Sequence, residues 1–340
     1  FTLPLAIPPE HPWQSHIARH GHYGVQLFFV ISGFILALPF ASYHLKGAAP
    51  VNLKRYYLRR VTRLEPPYVL TMVGFFCLLV WFHGQSAANL SFHLAYSLLY
   101  LHGPALGSQS IVNPIAWSLE IEVQFYLLVP FLTQLFAIRG TVLRRSVIAG
   151  LGLLFMACQL WFSPDRGPFS FTIASHLQYF LVGFLLADVY LTEWDEAPSH
   201  ERKWDYVSLI GWPLLLVVCE SPGLTQLLLP AMLFVLYAAA FRSAWVSCVL
   251  TSPWVTTVGG MCYTIYLLHY QLLSLIGRRT KALVFFDSFS LNLLVQFLIV
   301  GPLVLVLSVA FFALIERPCM RSDWPIRIWQ KVKPFVSVPG

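Results

Sequence analysis

The chain has 340 residues, of which 57% are hydrophobic and only 11% are charged. Soluble domains average about 45–50% apolar and about 25% charged residues, so this composition excludes an ordinary soluble enzyme. Intrinsic disorder is excluded as well, because aromatic residues are abundant and the mean hydropathy is +0.68. The net charge of +7 suggests nucleic-acid binding in a soluble protein, but in a membrane protein its meaning depends on where the basic residues lie.

Nine apolar runs are long enough to be membrane-spanning helices, and together they predict an all-α, polytopic transmembrane helix bundle. A shorter run, Leu90–Leu101, carries His93 and is predicted to be an interfacial or re-entrant segment. The nine predicted spans are, in chain order, Tyr23–Ser42, Pro67–His83, Trp117–Ala137, Leu143–Phe162, Ser175–Leu191, Tyr206–Cys219, Thr225–Phe241, Trp254–Ile276 and Ser290–Ile315.

The basic residues give these spans an orientation. Of the 22 lysines and arginines, 17 lie in the loop 43–66, in alternate later loops or in the C-terminal tail. Because basic residues concentrate on the cytoplasmic side, this loop and the C-terminus are predicted to be cytoplasmic, and residues 1–22 to be outside. Most of the excess charge is therefore a signal of topology, and no nucleic-acid partner is predicted.

The external start predicts a further helix before Phe1, since residues 1–22 contain no apolar signal segment. The chain is accordingly expected to be a single membrane domain over residues 1–340 without its first helix, ending in a short cytoplasmic tail over residues 316–340. The sequence shows no internal repeat of the solenoid type and no second domain.

The first motif lies in the first predicted span, where Ser32 and Gly33 are small enough to let another helix approach closely.

Four histidines precede this span, but no cysteine or acidic cluster accompanies them, so no metal site is predicted. They are His11, His16, His20 and His22. The six cysteines lack CxxC spacing and are interpreted as packing residues. They are Cys77, Cys158, Cys219, Cys248, Cys262 and Cys319.

A basic motif precedes the second predicted span. If the segment is helical, Arg60 and Arg63 share one face and Arg59 lies close to it, so guanidinium groups can converge on one anion. The alternative is a basic flank that contacts lipid headgroups, which is common beside membrane helices.

An acidic motif begins the third predicted span and forms two polar stripes at helical spacing. A carboxylate at the bilayer centre costs about 2.5–3.5 kcal/mol, so such groups usually face a cavity or a partner. Glu122 is deeper in the span than Glu120 and is the stronger functional candidate. The alternative for both is a structural carboxylate paired with a buried cation. The stripes are Ser118, Glu122 and Tyr126, and Trp117, Glu120 and Gln124.

A tyrosine-rich stripe occupies the eighth predicted span, where Tyr263, Tyr266 and either His269 or Tyr270 repeat every three to four residues. This spacing predicts a hydrogen-bonding face inside the bundle. A single histidine on an apolar helix is more often a packing residue than a catalyst, so both interpretations of His269 stay open.

Five segments of the chain resemble the acyltransferase-3 family of multi-pass bacterial membrane O-acyltransferases, and they occur in the family's order. The resemblance implies about ten helices and transfer of an acyl group, most simply acetyl, from cytoplasmic acyl-CoA to a hydroxyl of a sugar, glycan or glycolipid. It also implies location in the bacterial inner membrane and no bound cofactor. The segments are GVQLFFVISGF at 24–34, YYLRRVTRLEPPY at 56–68, WSLEIEVQFYLLVP at 117–130, CYTIYLLH at 262–269 and IERP at 315–318.

The family's Arg-x-x-Arg signature falls on Arg60 and Arg63, which implies that they bind the CoA phosphates together with Arg59. Glu122, Tyr126 and His269 are the implied catalytic candidates. The histidine that the family uses for catalysis belongs to the helix before Phe1, so the base cannot be named from this chain. The channel is expected to be lined by Ser32, Trp117, Ser118, Tyr263 and Tyr266.

A function of another class remains open. The same intramembrane arginine and glutamate residues are compatible with a transporter or flippase for a lipid-linked or acylated substrate. However, the sequence shows no inverted repeat, and few spans carry ionisable groups.

Overall fold

The computed structural model describes residues 21–162, 167–218, 222–280, 283, 286, 288–320 and 324. Within these ranges the protein is all-α and contains no strand, so the predicted fold class is confirmed. The helices are α1 Gly24–Lys46, α2 Leu53–His83, α3 Ala87–Leu98, α4 His102–Leu106, α5 Trp117–Leu132, α6 Thr141–Phe162, α7 Leu177–Thr192, α8 Arg202–Val218, α9 Pro222–Arg242, α10 Ala244–Leu250, α11 Pro253–Gly260, α12 Cys262–Thr280, α13 Phe289–Phe311 and α14 Arg317–Cys319, with a π-helical turn at Phe312–Glu316.

Five helical segments of the described chain are long and apolar enough to cross a membrane, and a sixth is added if α9 and α10 form one span. Those two helices meet at an angle of 84°. The predicted number of nine is not confirmed, because α7 and α8 contain only 16 and 17 residues. The five segments are Gly24–Lys46, Leu53–Phe82, Pro114–Ala137, Thr141–Phe162 and Phe289–Cys319.

Two predicted boundaries differ from the structure. Helix α2 begins at Leu53, well before the predicted span at Pro67, so the basic motif belongs to the same continuous helix. Asn52 starts this helix, since its side chain accepts a hydrogen bond from the Arg55 N–H at 2.9 Å. The predicted span Trp254–Ile276 is instead divided at Met261 between α11 and α12. The run Leu90–Leu101, predicted to be interfacial or re-entrant, falls in α3 and the turn that leads to α4.

The core forms where α1 crosses α7 at very short range. A Cβ atom added at Gly33 would lie 2.9 Å from the Cα of Phe180, and one added at Gly183 would lie 2.7 Å from the carbonyl carbon of Gly33. Only glycine fits at both positions, so the expectation that small residues permit a close approach is confirmed. Phe29 and Phe125 stack on Phe180 beside this crossing, with ring centroids 4.6 and 3.9 Å apart.

A buried ion-pair cluster fixes α6 against α7. Asp188 is fully buried and accepts hydrogen bonds from the Nε of Arg144 and, at 2.7 Å, from the Nε of Arg145. Arg145 also bonds to Glu193 at the exposed end of α7. Two guanidinium groups therefore compensate one buried carboxylate, and removing that carboxylate would leave Arg144 as an isolated buried charge.

Candidate active site

Glu122 lies in the interior of the bundle with 5% of its surface exposed. Its Oε1 accepts a hydrogen bond from the hydroxyl of Tyr126, one helical turn away on α5, and another from Ser32 Oγ of α1 at 3.2 Å. The Ser32 hydroxyl reaches this position because it adjoins Gly33, where α1 packs closely in the core. A buried carboxylate is thus held in place by hydroxyl donors from two helices.

Arg60 lies against the same cluster. Its guanidinium carbon is 5.6 Å from the ring centroid of Tyr126 and 5.7 Å from that of Tyr56, so two aromatic rings flank the cation. The Tyr56 hydroxyl donates to the Tyr126 carbonyl at 3.2 Å, which ties α2 to α5 at this point. Among the described residues, the buried Nε of Arg60 has no hydrogen-bond partner, and it is therefore available to an acceptor.

Arg63 is half-buried one turn further along α2, and both guanidinium groups act electrostatically on Glu122. In the described part of the chain, no ion pair or hydrogen bond engages the Arg63 guanidinium. Arg59 is exposed on the outer surface of the helix. Of the three predicted anion ligands, the structure therefore brings Arg60 and Arg63 to the carboxylate and leaves Arg59 outside.

A small cavity of about 10 Å³ opens beside Glu122, with room for roughly one water molecule. Its polar wall includes Tyr100 and Tyr263, and the Tyr263 hydroxyl donates to the Leu64 carbonyl at 2.9 Å. The residues around the cavity come from α2, α5, α12 and the turn between α3 and α4. They are Leu64, Tyr100, Leu119, Glu122, Val123, Tyr126 and Tyr263.

Ser118 and Tyr266 join α5 to α12 through oxygen atoms 2.5 Å apart. The Tyr266 hydroxyl is also 3.1 Å from the Ile115 carbonyl, so Ser118 bonds across helices and does not contact Glu122 along its own stripe. His269 directs Nδ1 towards the Tyr266 carbonyl at 2.6 Å. Because that nitrogen must carry the proton, Nε2 is the acceptor in the neutral ring.

The second polar stripe has structural partners. Glu120 is buried and accepts the Gly103 N–H at 2.7 Å, while Gln124 Oε1 accepts the Ile173 N–H at 2.8 Å. The Trp117 ring lies 5.5 Å from the His176 ring, also buried. Glu120 is thus held by a backbone donor, whereas Glu122 is held by side-chain hydroxyls.

A histidine pair lies near Glu120 on the short helices. His102 is fully buried, its Nδ1 is 3.1 Å from the Ser108 carbonyl, and its Nε2 is 2.8 Å from Nδ1 of His93. The carbonyl requires a proton on Nδ1 of His102, so the bond between the rings is donated by His93. Burial lowers the pKa of His102 below its usual 6.5, which favours this neutral form.

Sequence reasoning missed two contributors to the site. Tyr56 flanks Arg60, and Glu316 is fully buried with its Oε2 accepting a hydrogen bond from Thr264. No hydrogen-bond partner of the Glu316 Oε1 lies within the described ranges, and Arg63 acts electrostatically on this carboxylate as well as on Glu122. A glutamate that follows a long apolar run was the available signal for Glu316.

No group of three or more histidine, cysteine, aspartate or glutamate residues within the described ranges has the arrangement of a metal site. Three of the four N-terminal histidines at which no metal site was predicted lie outside the described ranges, as does Cys219. They are His11, His16 and His20. Five described cysteines are free thiols. They are Cys77, Cys158, Cys248, Cys262 and Cys319.

Comparison with known proteins identifies relatives of this chain by sequence. Peptidoglycan O-acetyltransferase OatA of Listeria monocytogenes is 30% identical over 149 residues, covering 40% of this chain and 24% of that protein. O-acetyltransferase OatA of Staphylococcus aureus is 23% identical over 278 residues, covering 74% and 46%. The chain thus matches less than half the length of each relative. No solved structure matches it significantly.

A sequence model of the family described as "Acyltransferase domain", Acyl_transf_3, matches residues 2–313. This range includes the basic motif of α2, the acidic motif of α5 and the tyrosine stripe of α12. The chain therefore belongs to this acyltransferase family, and the resemblance inferred from its motifs is confirmed.

Proposed function

We propose that the protein is a membrane O-acyltransferase that moves an acetyl group from cytoplasmic acyl-CoA to a carbohydrate hydroxyl. The observation that carries this proposal is that Arg60 and Arg63 act electrostatically on the buried Glu122, which itself lines a small cavity in the helix bundle. A cation pair and a held carboxylate in one interior site match the needs of a reaction that binds an anionic donor and activates a hydroxyl.

The reaction forms an ester bond from the acceptor oxygen to the acyl carbon and breaks the carbon–sulfur bond of the thioester. The acceptor proton leaves through a base, and the thiolate of CoA takes up a proton as it departs. Glu122 would orient that base or stabilise its protonated form. Tyr126, Tyr266 and His269 would line the channel or donate hydrogen bonds to the negative charge that develops on the acyl oxygen. No metal or bound cofactor is required by this scheme.

Arg60 and Arg63 would bind the CoA phosphates, with the exposed Arg59 adding long-range attraction. The carbohydrate acceptor is proposed because one relative is named as a peptidoglycan O-acetyltransferase. The predicted orientation supports a cytoplasmic donor, since the basic loop 43–66 and the first turns of α2 lie on the side assigned to the cytoplasm.

The test is release of free CoA by the purified protein in detergent, with acetyl-CoA as donor and a carbohydrate acceptor supplied. We expect CoA release that depends on the acceptor, with acetate recovered as an ester on the sugar. A transporter or flippase would release no CoA, and that result would overturn the proposal.

Two variants separate donor binding from chemistry. Arg63→Ala should raise KM for acetyl-CoA by about tenfold or more, because a charge-assisted bond contributes about 1.5–3 kcal/mol, and the effect should shrink at high salt. Glu122→Gln keeps an acceptor oxygen for Tyr126 but removes the charge, so kcat should fall with little change in KM. Arg139→Ala, at an exposed arginine, is the matched control. Unchanged KM in an Arg60→Ala, Arg63→Ala double variant would contradict the assignment.

A further inference from the structure

Three of the residues that line the cavity beside Glu122 are aliphatic, and the proposed chemistry does not use them. Leu119 and Val123 extend from α5 on either side of Glu122 in the sequence, and Leu64 faces them from α2. Leu119 is buried, with 4% of its surface exposed. The lining thus combines a carboxylate and tyrosine rings with three aliphatic side chains.

We propose that Leu64, Leu119 and Val123 form the wall that limits the length of the acyl group, so that the enzyme accepts acetyl and rejects longer acyl donors. This inference rests on the proposed function, since it assigns the acyl end of the donor to this cavity. A volume that holds roughly one water molecule admits the methyl of an acetyl group. The extra carbons of a butanoyl group would overlap the aliphatic wall.

Tyr100, which also lines the cavity, cannot readily move away to make room for a longer acyl group. Tyr100 has a φ of +58°, a left-handed conformation that bulky residues adopt rarely and only where surrounding contacts enforce it. Its ring stacks on the buried Tyr68 at a centroid distance of 4.7 Å. Tyr68 is itself fixed by a hydrogen bond to the Ser97 carbonyl at 2.8 Å.

Because Tyr100 is held in place, the three aliphatic side chains decide how much carbon fits. Protein interiors are packed to the density of organic crystals, and an added methylene in such a site is strongly disfavoured. One methylene more or less in an apolar pocket changes kcat/KM by about 10- to 200-fold. The carboxylate of a succinyl group would also meet the like charge of Glu122, so this donor should be rejected too.

The test compares kcat/KM for butanoyl-CoA with kcat/KM for acetyl-CoA in the same sample, because their ratio is independent of the fraction of folded enzyme. Wild type is expected to prefer acetyl by at least roughly tenfold. Val123→Ala and Leu119→Ala should raise the butanoyl-to-acetyl ratio by about tenfold each. Val129→Ala is the matched control, since Val129 is fully buried on the same helix but does not line the cavity.

Each outcome bears on the inference. A ratio raised in Val123→Ala or Leu119→Ala, and unchanged in Val129→Ala, supports it. Equal use of both donors by wild type, or ratios that stay at the wild-type value in both cavity variants, overturns it while leaving acetyl transfer intact. If a cavity variant is too unstable to purify, Leu119→Val removes less volume and supplies the same ratio. If the wild-type protein releases no CoA from any acyl donor, the proposed function is refuted instead.

Discussion

The crossing of α1 and α7 gives the sharpest test of the packing. In Gly183→Ala the new methyl would lie 2.7 Å from the Gly33 carbonyl carbon and nearer still to the Val30 oxygen and the Phe34 nitrogen. Ordinary carbon–carbon contacts are about 3.5–4.0 Å, so the two helices would have to separate by roughly 1 Å. All three atoms belong to helix backbone, which cannot rotate out of the way as a side chain can.

The magnitude follows from two opposing effects. Overpacking a close-packed contact typically costs about 1–3 kcal/mol, while replacing glycine by alanine within a helix contributes about 1 kcal/mol in the favourable direction. Gly150→Ala isolates the second effect, because Gly150 is exposed within α6 and no atom lies within 4 Å of its added Cβ. The favourable effect is common to both variants and cancels, so Gly183→Ala is expected to be about 1–3 kcal/mol less stable than Gly150→Ala.

The assay is thermal or denaturant unfolding of both variants and wild type in the same detergent. Separating the helices should also move Ser32 away from Glu122, since their hydrogen bond of 3.2 Å spans α1 and α5, so CoA release should fall in the same variant. If Gly183→Ala unfolds at the same temperature as Gly150→Ala, the close approach of α1 and α7 is wrong.

Two further predictions follow from buried polar groups. Asp188→Asn should lower the free energy of unfolding by about 3–5 kcal/mol, because Arg144 would become an uncompensated buried charge, whereas Glu193→Gln at the exposed end should cost less than about 1 kcal/mol in the same unfolding assay. His102, whose pKa is lowered by burial, should stabilise the α3–α4 segment fully above pH about 6.5 and progressively less as the pH falls through its folded-state pKa. Protection factors from hydrogen exchange, which correct for the intrinsic pH dependence of exchange, should show this loss for residues 87–106 in wild type and a smaller loss in His102→Gln.

Apolar run length predicted the helices that are uniform and failed where a distant residue determines the break. The runs at α1, α6 and α13 were located from the sequence because each is long and uninterrupted. The predicted span Thr225–Phe241 ended one residue before the end of α9, but α10 and the 84° bend into it were not predicted. Asp205 of α8 holds this bend, since its Oδ1 accepts bonds from Ser243 Oγ at 2.5 Å and the Trp245 N–H at 3.1 Å. That partner is about forty residues away in the chain, so local pattern alone could not reveal it.

The candidate site shows the same division between local and long-range information. Helical spacing correctly joined Glu122 to Tyr126, since residues four apart on one helix are neighbours. The same rule predicted Ser118 beside them, but its hydroxyl bonds instead to Tyr266 of α12. Contacts between helices depend on which faces meet, and a single sequence contains no direct record of those pairings.

Arg60 and Arg63 lie in different surroundings near Glu122, so their substitution should affect stability and donor binding differently. Arg60 is flanked by the rings of Tyr56 and Tyr126, so its charge contributes to the packing of α2 against α5. Arg63 has no hydrogen bond or ion pair through its guanidinium in the described chain, and removing it disturbs no such contact. Arg63→Ala should therefore act mainly on KM for acyl-CoA, while Arg60→Ala should lower the stability of the fold as well. Equal loss of stability in both variants would show that the two rings do not stabilise the Arg60 cation.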